Sequence, residues 1–316
     1  MTKYIIRRVI GLVPAILLLL LLVVVMIEMI PGDIIDIMLE EKLGNDPESR
    51  IVLEHELGLD KPLPIRYINY VGGVLKGDFG NSLWTGTSVG SLIVGRAWAT
   101  IEIGIISILV GSTIGVAIGA ISALRQDSFL DYALRSTAIL GISVPSFAIA
   151  TGVVVFPALW WGVSPSLRYV GITEDPVAHL KIVILPALVL AIGLAATLMR
   201  LTRTTMLEVL RQDYIRTAHA KGLGQFPVIL KHALKNALIP VVTLLGLQIA
   251  FLIGGSVIIE SVFAIPGVGR LLISAIGNRD YPVVQGVVVI IGLFVMFTNL
   301  VIDVSYAWLD PRIRYS

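Results

Sequence analysis

Four histidines, no cysteines and a scatter of carboxylates are the residues of this chain that could do chemistry, and most of that chemistry can be set aside. His55, His179, His219 and His232 show no helical metal-ligand spacing, so neither a metal site nor a histidine base is indicated. The absence of cysteine excludes disulfides, thiolate metal sites and a cysteine nucleophile. A nucleotide-hydrolysing chain needs a phosphate-cradling loop that ends Gly-Lys-Ser/Thr. No Gly-Lys pair occurs, so the energy for any work must come from another polypeptide or from an ion gradient. Gly267-Val268-Gly269 follows Pro266 and reads as an ordinary turn. A serine hydrolase would need a buried serine paired with a base, and none is indicated. We therefore expect no catalytic residue, no metal and no bound cofactor.

Carboxylates inside apolar segments are the remaining default place for function in a membrane protein. Glu28, Glu102 and Asp303 lie near predicted span ends, where solvation is expected. Glu260, just after Gly254 and Gly255, ends another apolar run. These three residues could shape a gate on the outer side, and a structural contact explains Glu260 equally well.

The densest cluster of polar chemistry is the basic stretch Met199–Pro240. Leu207, Leu210, Tyr214 and Ala218 share one helical face, with Arg211, Arg216 and His219 elsewhere. Gly222 and Gly224 stop that helix, and Pro227 suits the first turn of the next, which carries Lys231, His232 and Lys235. Two short helices around a glycine break can form a docking surface for a cytoplasmic partner. They can also rest on anionic lipid, as basic amphipathic helices do.

The elements that hold these residues are set by composition. The 316 residues are 56% hydrophobic and only 15% charged, with a mean hydropathy of +0.90. Soluble domains carry roughly a quarter charged residues, so lipid is the solvent. A net charge of +2 gives no reason to expect nucleic acid. Runs near the ~20 residues a membrane helix needs occur at 9–30, 100–124, 134–161, 182–201, 236–259 and 283–308. The first lacks a small-residue cleavage site and reads as a retained span rather than a signal peptide. An all-α membrane protein of six transmembrane helices is expected, organised as residues 1–30, an extracytoplasmic segment 31–98, and a core 99–316 with a loop at about 200–235. Gly104, Gly111, Gly115 and Gly119 recur along the second span and read as helix packing.

Lys3, Arg7, Arg8, Arg125, Arg135, the 200–235 cluster, Arg312 and Arg314 fall on one side, and the acid-rich 31–98 on the other. Positive loops stay inside, so both termini face the cytoplasm. Trp160, Trp161, Tyr306 and Trp308 suit an interfacial belt. Within 31–98, helices are expected at Glu48–Leu57 and Pro64–Leu75, with a turn at Gly77–Gly80.

The basic loop, MRLTRTTMLEVLRQDYIRTAHAKGL (199–223) followed by HALKNALIP (232–240), resembles the signature of the oligopeptide/dipeptide/nickel permease family of ABC importers. YIIRRVIGLVPAILLL (4–19), IPGD (30–33), ELGLDKPLPIRYINY (56–70), GDFGNSL (77–83), DYALRSTAILGISVPSF (131–147), GLQIAFLIGGSVIIESVFAIPGVGRLL (246–272) and RDYPVVQG (279–286) resemble other family segments, so the likeness runs through the chain. It implies a type I importer fold in the bacterial inner membrane. It also implies a second, paralogous permease, two cytoplasmic ATPase subunits carrying ATP and Mg, and an extracytoplasmic binding protein. The coupling residues it implies are Asp213, Tyr214, Arg216, Thr217, Ala218, Ala220, Lys221 and Gly222. The small Ala218, Ala220 and Gly222 would enter a groove on an ATPase, with Asp213, Arg216 and Lys221 at its rim. Arg216 and Thr217 stand where the general motif has Glu-Ala, so no ion pair from that glutamate carries over. Short peptides are the favoured solute, with nickel complexes, glutathione or oligosaccharides as alternatives. A gradient-driven carrier is the reading from another class, and no convincing internal repeat favours it.

Overall fold

The computed structural model describes residues 2–29, 54, 60–163 and 169–309. The expected helix at 48–57 and the IPGD segment lie outside the described residues. Among those described the chain is helical, with a single isolated bridge, Asn81 to Ser88, in place of any strand. The helices are α1 Thr2–Met29, α2 Leu63–Leu75, α3 Val89–Leu124, α4 Phe129–Ser143, α5 Ser146–Trp161, α6 Pro176–Leu210 and α7 Asp213–Ala220. Gln225–Pro227 then leads into a π-helical stretch, Val228–Leu234, which runs into α8 Lys235–Val262; α9 Val268–Gly277 and α10 Tyr281–Leu309 follow.

Five of these runs are long and apolar enough to cross a membrane, and the bent pair α4–α5 brings the number to six. The expected continuous span 134–161 is thus corrected. Its two halves meet at 94°. The cause is local: Pro145 lacks an N–H, and Val144 before it is held extended at φ −86° and ψ 120°. Proline alone does not force a break, because Pro14, Pro157, Pro186 and Pro240 sit inside helices. α3 and α6 reach beyond the predicted spans. Asp175 caps α6 by accepting from the N–H groups of Val177 and Ala178, with Pro176 in the first turn.

The described residues form two compact units. One gathers those within Met1–Arg96 and Leu271–Leu300, the other those within Ala97–Arg270 and Val301–Ile313. In the first, Leu20, Val23 and Val289 form a core, joined by Tyr67, Tyr70 and Phe79. The Ser82 hydroxyl donates to Asp280 at 2.5 Å, and the Leu83 N–H donates to the same carboxylate. Two stretches 198 residues apart are tied there.

The second unit is built on the crossing of α3 and α6. A methyl group added at Gly111 would come within 3.1 Å of the Ala191 carbonyl oxygen; at Gly115, within 2.6 Å of that of Ala195; at Gly119, within 2.6 Å of that of Met199. These three glycines pack helix backbone on helix backbone, the small-residue contact that membrane helices use when apolar burial gives no preference for protein over lipid. Gly104 does not share the role, since a methyl there meets nothing within 4 Å. Ser107 spans the same interface, its hydroxyl lying 2.6 Å from the Ile103 carbonyl and 3.0 Å from that of Ala187. Gly115→Leu is expected to push α3 and α6 apart, which overpacking of this kind makes costly by ~1–3 kcal/mol or more. A lower melting temperature of the purified chain would register it, while Gly104→Leu should leave that temperature unchanged.

Candidate functional site

The basic loop folds as helix, stop, helix. α6 ends at Leu210, and α7 restarts after Arg211-Gln212. α7 is anchored on its own chain: Ile215 and Ala218 are buried in a cluster with Met206, Val228, Ala233 and Ala237. That placement differs from the expected face. Tyr214 is half exposed and its hydroxyl receives the side-chain amide of Asn236 at 2.9 Å. Ala218 is 7% exposed, so it packs inward rather than projecting toward a partner. The opposite face carries Asp213, Arg216, Thr217, His219 and Ala220, all exposed, with Lys221 and Gly222 following. Arg216 and Asp213, with side chains 78% and 93% exposed, form an i,i+3 pair at 3.3 Å. Such an exposed pair contributes little stability and leaves both charges accessible.

Gly222 has a specific backbone duty. The Leu223 N–H bonds to the Ala218 carbonyl and the Gly222 N–H to that of His219, with Gly222 left-handed at φ +80°. This double bond pattern is the Schellman cap. No atom lies within 4 Å of where a side chain would begin, so conformation rather than crowding demands glycine here. Gly224 is extended at φ −65° and carries no such demand.

Below this loop, α6 is clamped to α4. Asp131 is fully buried. The guanidinium of Arg203 donates to both its oxygens, at 2.8 and 2.7 Å. Ser122 from the end of α3 and the N–H of Asp127 also donate to it. A bidentate pair with its remaining lone pairs satisfied is the geometry in which a buried ion pair is tolerated. Sequence reasoning quoted Asp131 only as part of a motif and gave Arg203 no partner. The two stand 72 residues apart, and no spacing rule links them.

The carboxylates expected to be solvated differ in outcome. Glu102 is not solvated: its oxygen lies 2.7 Å from His179 Nε2, with side chains 12% and 3% exposed. His179 Nδ1 meets the Val170 carbonyl at 2.8 Å, and its ring packs edge-on against Tyr169. Burial, helped by the Glu102 charge, pushes the Tyr169 phenol above its usual range. Asp303 is half-buried. Glu28 and His55 fall outside the described side chains.

Glu260 is fully buried at the end of α8. It accepts from the Thr100 hydroxyl at 2.8 Å and the Arg270 N–H at 3.0 Å, and also from Ser256 and the Gly269 N–H. Thr100 in turn accepts from the Val268 N–H. The carboxylate therefore caps the first turn of α9, where a negative charge is favoured. A side chain on Gly267 or Gly269 would overlap it. Gly254 is open around its Cα, and Gly255 faces Leu190 at 3.6 Å.

Among the described residues no group of three or more potential ligands could hold a metal. One stretch does fit the serine-hydrolase pattern G-x-S-x-G, Gly86-Thr87-Ser88-Val89-Gly90. Its serine is exposed and enters α3 from a turn rather than from a strand, so the strand-to-helix elbow that gives the pattern its chemistry is absent.

Asp131→Asn is expected to cost about 3–5 kcal/mol by leaving the Arg203 charge half-paired, and Asp131→Asn with Arg203→Gln to recover part of that loss. Melting temperatures of the purified variants check both. Equal destabilisation by the single and double changes would mean that the ion pair is not what holds α4 to α6.

Two family models match the chain. The one for a binding-protein-dependent transport system inner membrane component covers residues 115–315, and its N-terminal companion covers 1–101. A putative peptide permease protein of Brucella suis is 41% identical over 317 residues, covering 99% of both chains. The dipeptide transport system permease protein DppB of Escherichia coli K12 is 37% identical, covering 100% of this chain and 99% of its own. Among solved structures, an inward-facing MetNI methionine ABC transporter aligns with a TM-score of 0.57 at 18% identity, over 69% of this chain and 96% of its own. A chain of an amino acid ABC transporter gives 0.53 at 13%, over 68% and 92%. At these identities the structural matches speak to the fold alone, and that fold is the one of type I importer permeases. By sequence along its whole length and by fold over its core, the chain belongs to the family of binding-protein-dependent transport system inner membrane components.

Proposed function

We propose that this permease forms half of a translocation pathway for short peptides, driven by ATPases on separate subunits. The observation that carries the reading is α7. It is a short helix pinned underneath by Ile215 and Ala218, ended by a rigid glycine cap, and exposed along the face bearing Asp213, Arg216 and Thr217. A helix held in this way can transmit force from a docked partner, because it cannot roll or slide without moving α6. Charges on its rim set the register of docking. Asp213, Tyr214, Arg216, Thr217, Ala220 and Lys221 are the contact residues, Gly222 preserves the shape, and Ala218 is the anchor.

In this reading both termini and α7 face the cytoplasm, and the 31–98 segment faces out. The partners are two ATPase subunits that bind ATP and Mg, a paralogous permease and a solute-binding protein. Peptide is the solute favoured by the names of the Brucella and Escherichia relatives. Gly254, Gly255 and the hairpin held by Glu260 form the outer gate.

Gentle purification of a tagged copy from its native membrane should recover an ATPase, a second permease and a binding protein, identified by mass spectrometry. Recovery of the chain alone, monodisperse and without an ATPase, would count against the importer and leave α7 as a lipid-resting element. Within the assembled complex, Gly222→Val is expected to insert normally and to abolish ATP-driven peptide uptake, since a β-branched residue resists φ +80°. Normal uptake by that variant would remove α7 from the coupling path.

A further inference from the structure

As many residues precede Pro145 in the α4–α5 pair as follow it, so the break falls in the middle of this span. Pro145 has no N–H for the carbonyl of Gly141, one helical turn back. The first turn of α5 receives no side-chain cap. Main-chain groups without helical partners are tolerated at membrane depth only inside protein or along a water-filled cavity.

The break borders a cavity. It measures 340 Å³, within the ~300–1,000 Å³ range of small-molecule sites. Ser146 of α5, Thr197 of α6 and Gln248 of α8 bring uncharged polar side chains to its wall, while Gly141, Gly193 and Gly255 expose bare main chain. Among the described residues, no acidic or basic one lines it. Thr197 sends its own proton to the Gly193 carbonyl at 2.9 Å, which leaves its lone pairs to accept.

We infer that this cavity is a solute-contact site that takes the main chain of a short peptide, binding its amide N–H and C=O groups rather than its termini or side chains. The inference rests on the proposed import function and names where the peptide touches this subunit. A carboxylate or ammonium group would need a countercharge here, because burying an unpaired charge is costly. An amide needs one donor and one acceptor, and the glutamine amide supplies both. The Ser146 hydroxyl can serve either role, and that of Thr197 accepts. A wall of this kind is indifferent to which side chains the peptide carries, so it can pass peptides of many sequences.

The chain has no cysteine of its own, and a side chain at Gly193 would start in open space. Gly193→Cys in the complete importer, reconstituted in liposomes, should therefore react with a water-soluble thiosulfonate, read from the mass of this chain. A transported dipeptide should slow that reaction. Absence of reaction would mean that the partner permease or lipid fills the cavity, and reaction indifferent to peptide would mean that the cavity is wet but off the pathway; either result overturns the inference. Gln248→Leu and Thr197→Val should each lower uptake about fivefold, the scale of one neutral hydrogen bond, and by the same factor for dipeptides with different side chains. Unchanged uptake in both variants, beside a wild-type importer that works, would sink the cavity assignment alone. A wild-type complex that takes up no peptide would overturn the import function, and the inference with it.

Discussion

The backbone-to-backbone contact of α3 with α6 is the constraint on which the second unit depends. In lipid, apolar side chains give helices no reason to prefer each other over acyl chains, so close approach and polar ties must hold them. Gly111, Gly115 and Gly119 provide the approach. Each tie then starts from α3: Thr100 to Glu260, Glu102 to His179, Ser107 to the Ala187 carbonyl, and Ser122 to Asp131. α3 serves as the fixed strut against which α6, α4 and the α8–α9 hairpin are set.

The ties fall at different heights along α3, and that distribution bears on mechanism. At one end the Glu260 carboxylate holds the turn between α8 and α9. At the other, the Asp131–Arg203 pair joins α4 to the stretch of α6 that leads directly into α7. Between these lie the α4–α5 break and its cavity. In the proposed coupling, a displacement of α7 would reach the break through α6 and, by way of the Asp131–Arg203 pair, through α4.

The local structure of the loop and of the second span is legible in the sequence where the signals are short-range. The helix–glycine–helix form of the basic loop, the stop at Gly222 and the packing role of three of the four glycines follow from short-range conformation and spacing. The inward turn of Ala218 was not readable. Helical periodicity drawn across Leu207–Ala218 assumes an unbroken helix, and the Arg211-Gln212 break resets its phase, so that Ile215 rather than Tyr214 joins Ala218 in the buried cluster. The solvated reading of Glu102 failed because nearness to a span end says nothing of a histidine 77 residues away.

Hydropathy is a sum over neighbours in sequence, so the sequence by itself determined that this is a polytopic helical membrane protein with about six spans. The positions of caps and stops were local in the same way. Only the tertiary structure decided which residues are partners: Arg203 for Asp131, Thr100 for Glu260, Asp280 for Ser82. It alone also decided that Pro145 breaks its helix while Pro157 and Pro186 do not. The reason is physical. The energy of a buried polar group depends on what lies within about 3 Å of it in space, and in these cases that neighbour comes from a distant stretch of the chain, at a separation that no pattern in the sequence encodes.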